Sequence, residues 1–175
     1  MAPTEHRRGS AVSRFVGERP ESVRKETMKS LYFEDFAIGQ VFTSPRPRIV
    51  TEEMIEKYGQ VSGDMNPLHF DKDFAKKSPF GQKIAHGLLG LSVASGLLHD
   101  TGIIRETIIA FTGGEWKFKK PIFIGDSVSL KMEVSKLRRV GQGQGFVLLN
   151  AELSNQRGDI VQGGVWSLMV RSKPQ

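Results

Sequence analysis

The pattern of apolar and polar positions predicts one long helix followed by several strands. Residues 86–98 ("HGLLGLSVASGLL") are apolar or small at nearly every position after the first, which predicts a helix buried on all sides. Apolar and polar residues alternate in "SVSLKMEV" (127–134), as they do in a strand with one buried face. Three more segments have strand-like composition: "EWKFKKPIFIGD" (115–126), "FVLLNAELS" (146–154) and "IVQGGVWSLMVR" (160–171).

A buried helix followed by antiparallel strands indicates an α+β fold. A curved antiparallel sheet wrapped around that helix, the hot-dog architecture, is the natural way to bury it. A sheet of this kind leaves open edges, which pairing with a second copy of the chain can cover. We therefore expect a homodimer or a larger homo-oligomer built from dimers.

A second helix is expected over "TEEMIEKYGQVSG" (51–63). Thr51 suits its N-cap, and Gly63 suits its end. Its apolar face is expected to consist of four residues: Met54, Ile55, Tyr58 and Val61. The preceding segment, "IGQVFTSPRPRIV" (38–50), is expected to be extended, with its two prolines at a sheet edge or in a loop.

The first 28 residues differ in composition from the rest of the chain. They are rich in Arg, Ser and Glu and have no sustained apolar period, so we interpret residues 1–28 as a flexible N-terminal extension. The remainder, residues 29–175, has the length of one domain with a real core and is too short for two comfortable ones. We expect it to form a single domain.

Composition and charge narrow the class of protein. The net charge is +6, of which residues 1–30 carry half (seven Lys or Arg against four Glu), so the remaining excess is mild and nucleic acid is not the indicated partner. The absence of cysteine excludes disulfides and thiolate sites and fits a cytoplasmic protein. No apolar run approaches the roughly 20 residues that a membrane span needs.

The candidate chemistry lies in "VSGDMNPLHF" (61–70), where an acid, Asp64, and an imidazole, His69, are five positions apart. Pro67 disfavours the helical conformation at Asn66, so we expect this stretch to be a non-helical loop that brings the two side chains together. A purely structural interpretation is also open from the spacing alone. An acid after a glycine often bonds nearby backbone amides, and a histidine beside apolar residues is often a core residue.

A family resemblance favours the functional interpretation. "VSGDMNPLHFDKDFA" resembles the hydratase-2 motif of the MaoC-like, R-specific enoyl-CoA hydratases, and the matching residues are Ser62, Gly63, Asp64, Asn66, Pro67, Leu68, His69 and Ala75. "AHGLLGLSVASGLL" resembles the central helix of that family, and "FKKPIFIGDSV" resembles one of its strand segments. The resemblance covers roughly residues 33–170 and implies the hot-dog fold.

The resemblance also implies a reaction and a set of site residues. It implies a hydro-lyase that adds water to a 2-enoyl-CoA to give a (3R)-3-hydroxyacyl-CoA, with Asp64 and His69 activating the water. The backbone amide of Gly87 is implied as the oxyanion donor. Ser95 matches a position that lines the site, although it equally fits a residue that only permits packing, and Asn66 is expected to shape the loop. The substrate is an acyl-CoA or acyl carrier protein thioester, with no metal and no cofactor beyond the coenzyme A of the substrate.

Two other functions stay open. Hot-dog thioesterases usually place an acid on the central helix, and residues 88–98 contain none. A non-catalytic acyl-thioester regulator is the second alternative. "GQGQG" (141–145) lies between two predicted strands with no following helix, so it is expected to be a hairpin turn and not a phosphate loop. Seven lysines are candidates for the phosphates of coenzyme A: Lys72, Lys76, Lys77, Lys83, Lys117, Lys119 and Lys120.

Overall fold

The computed structural model describes residues 29–174, so the predicted extension, residues 1–28, lies outside the described residues. Within that range the helices are α1 (Glu52–Ser62), α2 (Pro67–Phe70), α3 (Lys72–Lys76) and α4 (Gly87–Thr101). The strands are β1 (Val41–Thr43), β2 (Arg48–Ile49), β3 (Ile108–Phe118), β4 (Ser127–Val140), β5 (Gln144–Ser154) and β6 (Ile160–Arg171). None of these helices has the length and apolar character of a membrane span.

The strands form one antiparallel sheet around α4. Its order is β1-β4-β5-β6-β3, and the short β2 pairs with the beginning of β4. The "GQGQG" segment is a tight hairpin between β4 and β5, and Gly141 takes the positive φ of +59° that this turn requires. Strand β3 lies at one end of the sheet and pairs only with β6, so its other edge is open within the described chain.

The core lies between one face of α4 and the concave face of the sheet. Leu89, Val93 and Leu97 of the helix pack in a single buried cluster with inward-facing residues of the strands, including Leu130, Leu149, Leu153 and Leu168. Burial of each such side chain contributes about 1.5–3 kcal/mol. These contacts confirm the α+β hot-dog arrangement that the sequence predicts.

The prediction that the central helix is buried on all sides is wrong for the single chain. Leu88 is 55% exposed, and Ser92, Ser95 and His99 on the same stripe of α4 are also exposed. These positions recur every three or four residues, so they form the helix face opposite the sheet. An all-apolar sequence therefore does not show which face of the helix its own sheet leaves uncovered.

Helix α1 begins and ends where the sequence predicts. Thr51 Oγ1 accepts a hydrogen bond of 3.3 Å from the Met54 amide, and Gly63 ends the helix at a left-handed φ of +77°. Ile55 is buried, but Val61 is 89% exposed, so its assignment to the apolar face is wrong. Six residues of helix rotate Val61 by about 120° away from Ile55, which turns it out of the buried stripe.

The expectation that residues 61–70 contain no helix is also wrong, because Pro67–Phe70 form the short helix α2. Pro67 occupies the first helical position, where its missing N–H is not needed and its fixed φ is already suitable. Asn66 Oδ1 caps this turn by accepting a hydrogen bond of 3.0 Å from the Leu68 amide. The proline thus begins a helix here and does not merely exclude one.

The strand expected over residues 115–126 is displaced. Strand β3 begins earlier, at Ile108, and ends at Phe118, and a loop follows up to β4. Gly125 has a φ of +91°, and Asp126 Oδ2 accepts a hydrogen bond of 2.9 Å from the Phe123 amide. This turn at Gly125 and Asp126 lies beyond the end of β3, in the loop that leads to β4.

Candidate active site

A cavity of about 440 Å³ opens at the N-terminal end of α4. Its wall includes Asp64, His69, His86, Gly87 and Phe118. The first two come from the segment between α1 and α2, the next two from the start of α4, and the last from the end of β3. The cavity therefore brings together the two polar side chains of the "VSGDMNPLHF" segment and the beginning of the central helix.

A hydrogen bond fixes which ring nitrogen of His69 carries the proton. Helix α2 carries the residue inward, where its side chain is buried, and Nδ1 lies 2.8 Å from the carbonyl oxygen of Ile84. A carbonyl oxygen only accepts, so Nδ1 carries the proton and donates this hydrogen bond. In the neutral imidazole Nε2 is then the basic nitrogen, and it is available to accept a proton.

Asp64 is exposed, but hydrogen bonds fix the turn that carries it. Its amide donates to Ser62 Oγ (3.2 Å), and its own Oδ1 accepts a long hydrogen bond from the Asn66 amide (3.4 Å). Ser62 Oγ in turn donates to Tyr58 O in α1 (2.7 Å). A carboxylate oxygen of Asp64 lies within 4.8 Å of a ring nitrogen of His69. Two hydrogen bonds of about 2.8 Å each reach across such a gap, so one water can contact both groups.

Gly87 is the first residue of α4. Amides in the first turn of a helix have no intrahelical partner, and the helix dipole favours negative charge there. A Cβ at Gly87 would lie 2.9 Å from Cδ1 of Phe118, so the cavity wall leaves no room for a side chain. Glycine therefore lets the Phe118 ring and the cavity approach the helix end closely.

Gln162, near the beginning of β6, fixes the position of the start of α4. Its buried amide Nε2 donates to Gly87 O (3.0 Å), and its Oε1 accepts from Trp116 Nε1 (3.0 Å). A Cβ on Gly90 would lie 2.3 Å from the same Nε2, so Gly90 makes room for this side chain. The sequence gives little indication of this role, because a glutamine in a strand usually indicates a polar position that faces solvent.

Two other residues that the resemblance points to lie away from the cavity wall. Asn66 is exposed and caps α2, as the expected loop-shaping role requires. Ser95 is exposed on the outer stripe of α4 and does not line the cavity of the single chain. It is two helical turns beyond Gly87, on the side that the sheet does not cover. Ser95 therefore has no place in the site formed by one copy of the chain.

His86 is the site residue that sequence reasoning misses, because its position before an apolar helix suggests only a helix-start residue. The side chain is 2% exposed, and its ring lies over that of His69 with ring centres 3.8 Å apart. Nε2 lies 2.9 Å from Asp64 O. Burial lowers the pKa of His86, and the nearby His69 lowers it further, while the hydrogen bond to Asp64 O opposes both effects. An available signal is its place in "AHGLLGLSVASGLL", the segment that resembles the central helix of the family.

The described residues contain one group that brings three potential metal ligands together. One ligand atom from each of Asp64, His69 and His86 lies within 4.8 Å of the other two. His69 Nδ1 and His86 Nε2 already donate to the carbonyl oxygens of Ile84 and Asp64, so each ring has only one nitrogen left that could bind a metal ion. This geometry suits hydrogen bonding around a water better than it suits a metal ion.

Of the seven candidate lysines, Lys119 and Lys120 line the cavity. Lys120 Nζ lies 2.6 Å from Asp159 Oδ1, so its charge is already paired. Lys117 pairs with Glu115 and Lys83 pairs with Glu52. Lys119 is the cavity-lining lysine for which the described part of the chain provides no ion pair, which makes it the best placed of the seven for an anionic ligand.

Comparison with known proteins agrees with this fold. The family model for the MaoC-like domain matches residues 34–155, and the chain belongs to this family. It is 31% identical over 110 residues to the 3-hydroxybutyryl-CoA dehydratase of Methylorubrum extorquens, a match that covers 63% of this chain and 68% of that one. It is 38% identical over 84 residues to the (R)-specific enoyl-CoA hydratase of Aeromonas caviae, covering 48% of this chain and 61% of that one.

Among solved structures, the monoamine oxidase regulatory protein of Archaeoglobus fulgidus is similar over 85% of this chain and 99% of its own length. The TM-score is 0.78 and the sequence identity is 35%. The chain is thus a member of a family whose named relatives include dehydratases and hydratases, and it shares its fold with a protein named as a regulator.

Proposed function

We propose that this protein is a hydro-lyase that adds water reversibly to a 2-enoyl-CoA thioester and gives a (3R)-3-hydroxyacyl-CoA. The observation that carries the proposal is the placement of the Asp64 carboxylate and the His69 imidazole within 4.8 Å of each other in one cavity. The relatives named as 3-hydroxybutyryl-CoA dehydratase and (R)-specific enoyl-CoA hydratase support it.

The proposed reaction needs a base, a group that stabilises the enolate oxygen, and an acid. A base takes one proton from the water as its oxygen bonds to C3 of the enoyl group. The electron pair of the double bond then moves toward the thioester oxygen and forms an enolate. An acid next gives a proton to C2, and the thioester carbonyl is restored. Because one water can contact both Asp64 and His69, the pair can supply both proton transfers on one face of the alkene.

His69 and Asp64 have different surroundings that suit these transfers. The Ile84 carbonyl fixes the imidazole tautomer, so Nε2 is the nitrogen that exchanges protons with the water. Asp64 is exposed at the cavity wall and can hold the same water as an acceptor. Because one water can contact both groups, we assign the base to the pair and not to one residue.

Gly87 is proposed to stabilise the enolate oxygen. Its amide lies at the N-terminal end of α4, where an unpaired N–H and the helix dipole both favour developing negative charge. The thioester would then enter along the wall formed by Phe118 and Lys119, with Lys119 close to the anionic part of coenzyme A. The reaction needs no metal and no cofactor beyond the coenzyme A of the substrate, and an acyl carrier protein thioester would satisfy the same chemistry.

The working protein is proposed to be a homodimer. Ile109, Phe111 and Phe118 of β3 are between 43% and 53% exposed, and the outer edge of this 11-residue strand is unpaired within the described chain. A long apolar edge of this kind is normally covered by another strand. A second copy placing its own β3 alongside would extend the sheet across both subunits.

A thioesterase is less well supported by the structure. Helix α4 extends to Thr101 and so includes one acid, Asp100, near its C-terminal end. Asp100 is 13 residues from Gly87, which is about 20 Å along the helix, and it does not line the cavity. No acid of α4 is therefore near the site where a thioester would be attacked. A regulatory role is the second alternative, because the similar Archaeoglobus protein is named as a regulatory protein.

The test is a panel of 2-enoyl-CoA thioesters of different chain length, followed at the absorbance of the conjugated thioester and with a thiol reagent. A hydratase removes the absorbance without releasing free thiol, and chiral analysis of the product gives the (3R) configuration. Release of thiol would instead show a thioesterase. Binding of acyl-CoA with neither change would show a regulator.

A further inference from the structure

We propose that His86 is a positioning residue that holds Asp64 and His69 in place relative to the start of α4. His86 directly precedes Gly87 and is the N-cap residue of α4, yet its side chain makes no capping hydrogen bond. Instead it is turned inward, is 2% exposed, and bonds to the main chain of Asp64. The inference rests on the function proposed above and adds a residue to it.

The hydrogen bonding of His86 is unusual for a buried side chain. Asp64 O can only accept, so Nε2 carries the proton and donates across 2.9 Å. Nδ1 is then a bare acceptor, and it is buried without a hydrogen-bond partner among residues 29–174. Buried polar atoms are normally paired, because an unpaired one destabilises the fold. Packing alone would be served as well by an apolar side chain, so the imidazole points to a functional role.

The ring of His86 also sets the plane of the His69 ring. The two ring centres are 3.8 Å apart, and Tyr58 and Phe70 enclose His86 at 4.9 and 5.7 Å. His69 is therefore held by Ile84 O at one nitrogen and by the His86 ring on its face. Burial lowers the pKa of His86, which favours the uncharged form of the ring that lies against His69. One side chain thus contacts both members of the proposed acid–base pair.

Two substitutions separate the two contacts. His86→Leu removes both the donor to Asp64 O and the ring over His69, and His86→Gln keeps an amide N–H that can reach Asp64 O. We expect His86→Leu to lower kcat about 10- to 100-fold, the usual effect of misplacing reacting groups by a fraction of an ångström to an ångström. Its melting temperature should stay within about 3 °C of wild type, because the lost hydrogen bond is offset by removal of the unpaired Nδ1. His86→Gln should recover part of the loss, and His99→Leu, an exposed histidine on the same helix, should leave kcat unchanged.

A coupling experiment distinguishes positioning from general damage to the fold. In an Asp64→Asn background, where the pair is already broken, His86→Leu should cost no more than about 3-fold further, because both changes act on the same step. The kcat–pH profile of His86→Leu should keep the wild-type shape at a lower level, since His86 itself transfers no proton. Equal losses in both backgrounds, a missing limb in the pH profile, or full turnover by His86→Leu would overturn the proposal.

A second readout does not depend on turnover. The His69 amide donates to Asn66 O across 3.0 Å in the loop that His86 braces through Asp64 O. We expect hydrogen exchange at this amide to be at least about 5-fold faster in His86→Leu than in wild type. If wild type turns over no enoyl thioester, the proposed function fails, and unchanged exchange at His69 would then overturn the positioning role as well. If wild type is active, unchanged exchange together with unchanged turnover overturns the positioning role alone.

Discussion

Gln162 Nε2 donates a hydrogen bond of 3.0 Å to the carbonyl oxygen of Gly87, the first residue of α4. The glutamine is buried in the sheet, and its Oε1 is held by Trp116 Nε1. This pair of hydrogen bonds ties the end of the central helix, where the oxyanion is proposed to bind, to β6 and β3. A buried polar side chain thereby sets the position of the site.

Gln162→Leu should therefore reduce both stability and activity. It leaves the Gly87 carbonyl and the Trp116 N–H without partners, and an unpaired buried group costs about 1–3 kcal/mol. We expect a melting temperature several degrees lower and a kcat about 10-fold lower. Trp116→Phe removes only the hydrogen bond that is remote from Gly87, so it should destabilise while keeping kcat within about 3-fold. Equal kcat losses in the two variants would show that the link to Gly87 has no special role.

Gly87→Ala should impair catalysis with little effect on the helix. The new Cβ would lie 2.9 Å from Cδ1 of Phe118, so the half-exposed ring must move along the cavity wall. We expect kcat/KM to fall about 10-fold or more. Gly96→Ala is the matched control on the same helix, since no atom of the described residues lies within 4 Å of the added Cβ, and it should stabilise by about 0.5–1 kcal/mol with normal turnover. Normal turnover by Gly87→Ala would refute the proposed approach of the thioester to this residue.

The lowered pKa of His86 predicts a pH dependence of stability. Between the ordinary value of 6.5 and the lowered value in the folded protein, the unfolded chain binds a proton at this site and the folded chain does not. The free energy of unfolding should thus fall as the pH is lowered through this window. His86→Gln cannot titrate and should lose less stability than wild type between pH 7.5 and 5.5 in urea denaturation. Identical pH slopes for the two proteins would mean that His86 is not buried as a neutral imidazole.

Local signals in the sequence predict part of this structure well. Thr51 and Gly63 bound α1 because capping and left-handed turns depend on neighbouring residues alone. The alternation in β4 gives both its existence and its buried face, since Val128, Leu130, Met132 and Val134 are all fully buried. The same local rules misjudge Pro67, because a proline that disfavours helix before it also begins one well.

The pattern of apolar and polar residues could not predict features that depend on tertiary contacts. The inward turn of His86 and the burial of Gln162 are set by what lies across the sheet, and neither leaves a periodic signal. The sequence also does not predict that Ser95 lies on the uncovered face of α4, because nearly all residues of this helix are apolar or small. The family motif predicted Asp64, His69 and Gly87 at one cavity, whereas the residues that hold them required the structure.

The edge of β3 gives a prediction about assembly. Phe111 is 50% exposed on this unpaired edge strand, and we expect Phe111→Glu to weaken self-association. Burying a charge in a strand-to-strand interface should cost more than about 1.4 kcal/mol, which is a tenfold weaker dimer. Ile38→Glu, an equally drastic change at an exposed apolar residue outside β3, should leave it unchanged. Sedimentation velocity at micromolar concentration measures both, and a monomeric wild type would contradict the proposed dimer.

The most direct test of the account is the turnover of Asp64→Asn, with His69→Ala and the double variant measured beside it, on the best enoyl-CoA substrate of the panel. Asparagine is nearly isosteric and Asp64 is exposed, so the melting temperature should move by only a few degrees. Each single change should lower kcat by about 10²-fold or more, as removal of a positioned acid–base group does. The double variant should lose far less than the product of the two, because both groups act on one water. Near-normal turnover by folded Asp64→Asn would show that this loop is structural and would contradict the hydratase mechanism.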